Sequence, residues 1–573
     1  MSRMDRTGVA RSLEQIAGYL DFKGENPFRV RAFTTAAKTV LAFPGDLDAA
    51  LADGSLAHAK GIGPAILAII AELITTGHAA MLDELQRDIP AGLVAMQAVP
   101  GLGAAKVRQI HDTLGITTLD DLEVAARDGR LAALPRFGAR TAESVLKGIT
   151  FLRQASEWRL SNQAAQEANA LRDVLGRLAG VVAAHVAGDV RRRLEVVREL
   201  AIVLVSDGDV DRVIAQLDGV SGVTGVMDRG NGRATITLAG AGVVDVWVAQ
   251  PADLGLALIR ATGSDAHVAA LEARAAERSL RLDLEALRDQ QGSAAATASE
   301  EAVYGALGLA WIPPELREAG TNLVAPVPTL VTRTDLRGLL HCHTVASDGR
   351  NTIAEMAEAC RAAGYAYVGV TDHSRAAAYA GGMSIEAVEA QWAEIDGYNA
   401  THSGIRVLKG VESDILVDGA LDYPDEILAG FDFVIGSVHS RFNLDERSMT
   451  DRVCRALSSP YLTMLGHPTG RLLLSREGYA LDIDRVIATA AKERVAIEIN
   501  GDPRRLDLDW RHVIRARDAG ATISIGSDAH SLGGIANMEF GTGIARKGGL
   551  GPADILNTRD AAGFMAFARA RRP

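Results

Sequence analysis

At 573 residues the chain is too long for one hydrophobic core and reads as roughly three or four domains. Its 48% hydrophobic and 23% charged content is ordinary for a globular protein. No apolar run approaches the length needed to cross a bilayer, no signal-peptide core is evident, and three cysteines cannot build a disulfide framework, which argues against membrane-spanning and disulfide-rich secreted classes and favours the cytoplasm. The net charge of −12 excludes a protein that coats DNA by bulk charge; residues 1–150 are nearly neutral and the acidic excess lies beyond them, so any grip on nucleic acid must come from local geometry.

Residues 1–150 read as short helices separated by Gly-rich turns. Three turns are alike: Lys60-Gly61-Ile62-Gly63, Pro100-Gly101-Leu102-Gly103 and Pro135-Arg136-Phe137-Gly138. Each precedes a helical run, over 64–76, 104–114 and 139–152, with apolar residues three and four apart. Glycines permit the tight turn, and the following helix N-terminus aims backbone amides outward, a nest for a phosphate that needs no basic side chain. Gly61, Gly63, Gly101, Gly103 and Lys106 are therefore candidate DNA-binding residues, with Arg108 adding charge. A single such turn would be an ordinary interhelical connection; two near-identical ones and a variant favour paired helix-hairpin-helix motifs.

Between 170 and 250 the pattern switches to strands, as in Ala201-Ile202-Val203-Leu204-Val205, Ala234-Thr235-Ile236-Thr237-Leu238 and 243–248. Helices resume over 252–290. The small-residue stretch 292–299 reads as a flexible excursion, and Pro313-Pro314 and Pro326-Val327-Pro328 mark a linker. From about residue 335 buried-strand runs (367–370, 433–436, 496–499, 522–526) alternate with helical patterns such as 353–363 and 483–493, which predicts parallel strands with helical crossovers in a barrel-like α/β domain. Chemistry in such barrels sits at the C-terminal ends of the strands.

There the sequence places His341 and His343 with Asp348, then Asp372-His373, Glu412, His439, His467, and Asp528-Ala529-His530. A lone His after a strand is usually a hydrogen-bonded core residue, and a lone Asp a helix cap. Together, these imidazoles and carboxylates, nine of them without Asp372, form an inventory for more than one divalent metal, and clustered metals cleave phosphate esters. No C-x-x-C pair supports zinc held through thiolates.

The front half resembles bacterial family X DNA polymerases. Phe28-Arg29-Val30-Arg31-Ala32-Phe33 is similar to the start of their small DNA-end-binding domain; Thr262-Gly263-Ser264 with His267, Leu307-Gly308-Leu309, and Trp311 to Glu318 follow their pattern. The metal-rich end resembles the PHP (polymerase and histidinol phosphatase) domain fused to those polymerases. The resemblance implies a multidomain α+β and α/β chain: a small helical domain with a hairpin motif (1–80), a fingers-like helical domain (81–160), a nucleotidyltransferase-like palm with a thumb-like part (161–325) and a PHP distorted (β/α)7 barrel (326–573).

The implied polymerase site departs from the family pattern of Gly-Ser-x-Arg-Arg, then Asp-x-Asp, then a third Asp. Here Gly188-Asp189-Val190-Arg191-Arg192 is followed by Glu199-Leu200-Ala201 and, later, Asp245. Glu199 is one methylene too long and Ala201 ligates nothing, so the two-metal site reads as degenerate. Arg260-Ala261 replaces the aromatic pair expected before Thr-Gly-Ser, and Ala65 and Ile69 stand where a lyase would carry lysines. In the PHP part the resemblance implies three metals: one on His341, His343, Glu412 and Asp528, a second on Glu412, His439 and His467, and a third on Asp348, His373 and His530. Manganese fits this donor set, and zinc or iron fits it too. Water activated at His341, His343, Glu412 and Asp528 would attack phosphorus, with Arg471, and Arg441 beside His439, as candidate phosphate contacts and Asp372 and Asp414 orienting imidazoles.

The expected function is DNA repair: a metal-dependent 3′–5′ exonuclease or 3′-end phosphoesterase acting on gapped DNA or DNA 3′ ends, with polymerase activity weak or lost. The alternatives are an active gap-filling polymerase with an exonuclease, a histidinol-phosphatase-like enzyme for small monoesters, and a non-catalytic DNA-end scaffold.

Overall fold

The computed structural model describes residues 1–573 except 1–3, 5, 42, 44, 45, 60, 100, 239–241, 284, 285 and 321. Lys60 and Pro100, which open two of the predicted turns, lie outside the described residues. The chain divides into two units, Met1–Glu157 and Trp158–Pro573.

The first unit is helical, and its turns share one backbone geometry. Gly61 and Gly101 are left-handed (φ +88° and +83°), while Gly63 and Gly103 are extended and cap helices Pro64–Thr76 and Ala104–Leu114 without any side-chain cap. The first amides of those helices therefore have no side-chain partner at the cap. In the third turn Arg136 (φ +69°) takes the left-handed position, before helix Ala139–Glu157. Ile66, Ile70, Leu73 and Ile74 from one helix and Val107 and Ile110 from another bury the faces that their spacing predicts.

The second unit begins with a five-stranded sheet: β1 (Val181–Ala187), β2 (Leu200–Ser206), β3 (Val223–Gly230), β4 (Arg233–Leu238) and β5 (Gly242–Ala249), in the order β1-β2-β5-β4-β3. Only β2 and β5 are parallel, and their register sets Ala201 beside Asp245. The stretch 292–299, expected to be a flexible excursion, is instead hydrogen-bonded into this region. The Thr297 carbonyl accepts from Gly255 N, its hydroxyl bonds Asp253, and Ser299 caps helix Glu300–Ala306. Small residues suit it to lying against backbone: a Cβ on Gly255 would stand 2.1 Å from the Ser299 carbonyl carbon.

Eight parallel strands follow: β6 (Gly338–Cys342), β7 (Tyr367–Val370), β8 (Arg406–Lys409), β9 (Glu412–Asp414), β10 (Ile435–Ser437), β11 (Met464–Leu465), β12 (Ala496–Asn500) and β13 (Ile523–Ala529). Their order is β8-β7-β6-β13-β12-β11-β10-β9. β8 and β9 are one strand interrupted at Gly410-Val411: Val370 pairs with Lys409 and His373 with Glu412 in the same register. The ring therefore closes with seven strands, a distorted (β/α)7 barrel. Among the described residues no single helix is long and apolar enough to cross a membrane.

Candidate metal centre

Strand alternation builds the floor of the site. His341 and His343 approach the carboxylates of Glu412 and Asp528, while Cys342 between them joins the hydrophobic core, its thiol donating to the Gly369 carbonyl at 3.5 Å. Glu412 is the hub. Its Oε1 lies 2.9 Å from His467 Nε2, 3.3 Å from His439 Nε2 and 3.4 Å from His341 Nε2; its Oε2 lies 3.0 Å from His373 Nδ1 and 3.7 Å from His343 Nε2. Asp528 Oδ1 is 3.2 Å from His343 Nε2, and Asp348 Oδ1 is 3.3 Å from His530 Nε2 and 3.6 Å from His373 Nε2. All nine predicted residues thus meet in one cluster. The spacing of donor atoms groups them a little differently from expectation: His467 falls with His341 and Glu412, His439 with His373 and Glu412, and His343 joins Asp348, His373 and His530.

The donors fit divalent ions. His341 Nε2, both ring nitrogens of His343 and His373 Nδ1 are buried without a hydrogen-bond partner. Each such vacancy costs about 1–3 kcal/mol in an unliganded protein, and imidazole lone pairs converging on carboxylates are what a divalent cation satisfies. The backbone is also strained here: His341, His467 and Asp528 are left-handed at φ +63°, +25° and +49°. Such residues cost of order 1–3 kcal/mol each and cluster at functional sites.

Charge is balanced within the cluster. Burial opposes ionisation of Glu412 and Asp528, but the surrounding imidazoles overcome it and hold both well below the usual carboxylate range. Burial likewise disfavours charged His439 and His530; Glu412 and Asp414 beside the first, and Asp348 and Asp528 beside the second, outweigh it and raise each to about 9. His343, buried between His530 and His373, is pushed down to about 4.

A supporting layer was only partly legible. Asp414 Oδ1 accepts from His439 Nδ1 at 2.7 Å, as expected. Asp372 orients no imidazole; it takes Thr344 N, Thr344 Oγ1, Ser347 Oγ and Gln391 Nε2, and so pins the loop between His343 and Asp348. Glu498, which sequence reasoning missed, is wholly buried in β12, 2.5 Å from His341 Nδ1, and accepts from His467 N at 2.7 Å. Its signal was available: a carboxylate inside the apolar run Ala496–Ile499 needs a buried partner.

The expected phosphate contact needs correcting. Arg471 Nε donates to the Arg505 carbonyl at 2.9 Å, its Nη1 to Asp509 at 2.9 Å and its Nη2 to the Leu506 carbonyl, so its guanidinium braces the 505–509 loop. That loop delivers Arg505, whose Nε lies 3.3 Å from Asp528 Oδ2. Arg505, and not Arg471, is the cation at the cluster.

Among the described residues the five-stranded sheet shows no corresponding convergence. Asp245 is capped by Arg233 Nε and Trp247 Nε1, each at 2.7 Å. Ala201 packs with Ala187, Val203 and Ala261, an apolar patch where a second carboxylate would stand, and Glu199 is exposed. Arg191 is held bidentately by buried Glu300 at 2.7 and 2.9 Å, and Arg192 pairs with Asp189 and Glu318.

Helix-hairpin-helix motifs, a five-stranded palm-like sheet and a PHP-type barrel whose histidines and carboxylates could hold metal define a DNA-polymerase-like protein fused to a phosphoesterase domain. Family models agree: a helix-hairpin-helix domain matches residues 4–79, a SAM-like helix-hairpin-helix tandem 93–149, a DNA polymerase beta thumb 257–318 and a PHP domain 340–502. The chain is 34% identical to the DNA polymerase/3′-5′ exonuclease PolX of Bacillus subtilis (strain 168) over 98% of its own length and 99% of the relative's. It is 29% identical to a probable phosphatase of Thermoanaerobacter sp. (strain X514), over 38% of this chain and 89% of that one. A probable phosphatase of Shigella dysenteriae, YcdX, matches at 26% over 38% of this chain and 88% of that one. The chain belongs to the PolX family of bacterial family X DNA polymerases carrying a PHP domain.

Proposed function

We propose that this PolX-family chain works in DNA repair as a metal-dependent 3′–5′ exonuclease or 3′-end phosphoesterase in the cytoplasm, its polymerase activity weak or lost. The observation that carries this is the contrast between two carboxylate sites. Glu412 and Asp528 face buried ring nitrogens that have no hydrogen-bond partner, whereas Asp245 is already paired with Arg233 and hydrogen-bonded by Trp247. Three divalent ions would fit the nine residues, with manganese the first candidate. The paired glycine turns, with Lys106 Nζ held on the Gly101 carbonyl at 2.8 Å, are suited to gripping backbone phosphates near a gap or 3′ end.

Bound divalent metals supply Lewis acidity and lower the pKa of water. The chain's own residues prepare for that. Glu498 and Asp414 hold His341 and His439 by their Nδ1 atoms and leave each Nε2 turned to Glu412. Arg505 beside Asp528 sets a guanidinium where phosphate oxygens gather charge. Asp348 and His530, the more exposed members, mark the mouth through which a strand end enters.

The test is a 5′-labelled gapped duplex with manganese, comparing wild type, His341→Ala and Asp245→Ala. Stepwise shortening that disappears only in His341→Ala supports the proposal. Intact DNA alongside rapid hydrolysis of a phosphate monoester would replace it with a small-molecule phosphatase.

A further inference from the structure

Beside the cluster stands a large aromatic side chain that the metal chemistry does not use. Tyr379 is 72% exposed, on the single 3₁₀ turn Ala378–Ala380 in the loop after β7. Its ring centroid is 6.3 Å from the His373 ring and 6.3 Å from the His439 ring, both at the hub carboxylate Glu412. Its neighbours Ala376, Ala377, Ala378 and Ala380 are too small to cover it.

The loop presents this ring deliberately. Ala380 N bonds Ala377 O at 2.9 Å, Gly382 N bonds Ala377 O at 3.1 Å, Met383 N bonds His373 O at 2.9 Å, and Ala376 N bonds Asp422 Oδ2 at 2.6 Å. Gly382 is pressed on the Ser374 carbonyl, where an added Cβ would stand 2.0 Å from the oxygen. The loop is thus tied back onto the segment that carries His373, and the tyrosine does not fold into the core. An exposed aromatic face next to a phosphoester centre offers what a nucleobase needs, because every base has a π-face and stacking tolerates any sequence. A base whose 5′ phosphate lies at the cluster is one sugar away from it, comparable to the separation of this ring from the ligating imidazoles. A cation stands at the same cluster: Arg505 Nε lies 3.3 Å from Asp528 Oδ2.

We propose that Tyr379 is the stacking platform for the 3′-terminal base and so determines that the centre takes a nucleotide end rather than any phosphate ester. The inference rests on the exonuclease reading above and names the part of the substrate which that reading leaves open.

The experiment uses the full-length protein with manganese and two 5′-labelled single strands, identical except that one ends in a normal 3′ nucleotide and the other in an abasic tetrahydrofuran residue. Wild type should remove the normal terminus faster, with kcat/KM higher by roughly 5- to 150-fold, the range that base–aromatic stacking supplies. Tyr379→Ala should lose that preference while keeping its rate on the abasic strand, and Tyr379→Phe or Tyr379→Trp should retain it. Equal loss on both strands would show a structural role for the side chain, and an undiminished preference would show none; either result overturns the stacking assignment alone. If wild type with manganese shortens neither strand, the exonuclease reading itself fails and the assignment falls with it.

Discussion

Glu498→Gln is the sharpest probe of how the barrel holds its ligands. The carboxylate is wholly buried and accepts from His341 Nδ1 at 2.5 Å, His467 N at 2.7 Å and Asn500 Nδ2 at 3.2 Å. It fits a slot opened by glycine: a Cβ on Gly526 would stand 1.9 Å from its Oε1. Glutamine keeps that shape but replaces one acceptor oxygen by an NH2 donor, so either His341 Nδ1 or the His467 amide faces a donor. One buried donor left unmatched costs about 1–3 kcal/mol, and loss of a residue that orients a ligating imidazole typically lowers metal affinity or activity about 10–100-fold. We expect manganese affinity, read by calorimetric titration, to fall within that range, with the far-ultraviolet circular dichroism unchanged. Wild-type affinity in a folded Glu498→Gln protein would refute the idea that this carboxylate fixes the two histidines.

Metal binding should release protons at pH 7, because the neighbouring carboxylates hold His439 and His530 at about 9 in the metal-free protein. Affinity should therefore rise with pH and level off above about 9, and the titration enthalpy should change between buffers of different ionisation heat. A pH-independent affinity from 7 to 9 would contradict this. By the same sign, these raised pKa values stabilise the metal-free fold fully below the unfolded value near 6.5, and that contribution is lost as pH rises through about 9. Arg471→Ala should lower the melting temperature, since Asp509 keeps only the exposed Arg511 and the Arg505 and Leu506 carbonyls lose their donor, at a cost of roughly 1–3 kcal/mol. Arg505→Ala should reduce kcat/KM on DNA in the metal-loaded protein; activity kept in Arg505→Ala but lost in a folded Arg471→Ala protein would restore Arg471 as the phosphate contact. Asp245→Ala should change stability by no more than about 1 kcal/mol, because its pair with Arg233 is half exposed; a large rise or fall in thermal melting would count against that reading.

How much of this was legible in the chain follows from distance along it. The nine clustered residues could be read because all but Asp348 stand at or just past the end of a strand-like run, and a barrel brings strand ends together whatever the loops do. The glycine turns were legible because their φ requirements are local: Gly61 and Gly101 are left-handed as their spacing implies. The cap on Asp245 was not, because Arg233 sits on another strand and reaches it only through the β4–β5 register, which places Arg233 opposite Trp247 and Thr235 opposite Asp245. Arg471, near His467 in sequence, is tied to the 505–509 loop; the path of that loop, which no periodicity encodes, sets Arg505 beside Asp528. Tyr379 stands in a run of alanines that carries no pattern at all.

The central claim is that the barrel performs the chemistry and the palm does not. It is tested most directly in the His341→Ala protein, where shortening is removed and cannot mask synthesis. With manganese, a 5′-labelled gapped duplex and all four deoxynucleoside triphosphates, the account predicts that the primer keeps its length. Primer extension that Asp245→Ala then abolishes would contradict it.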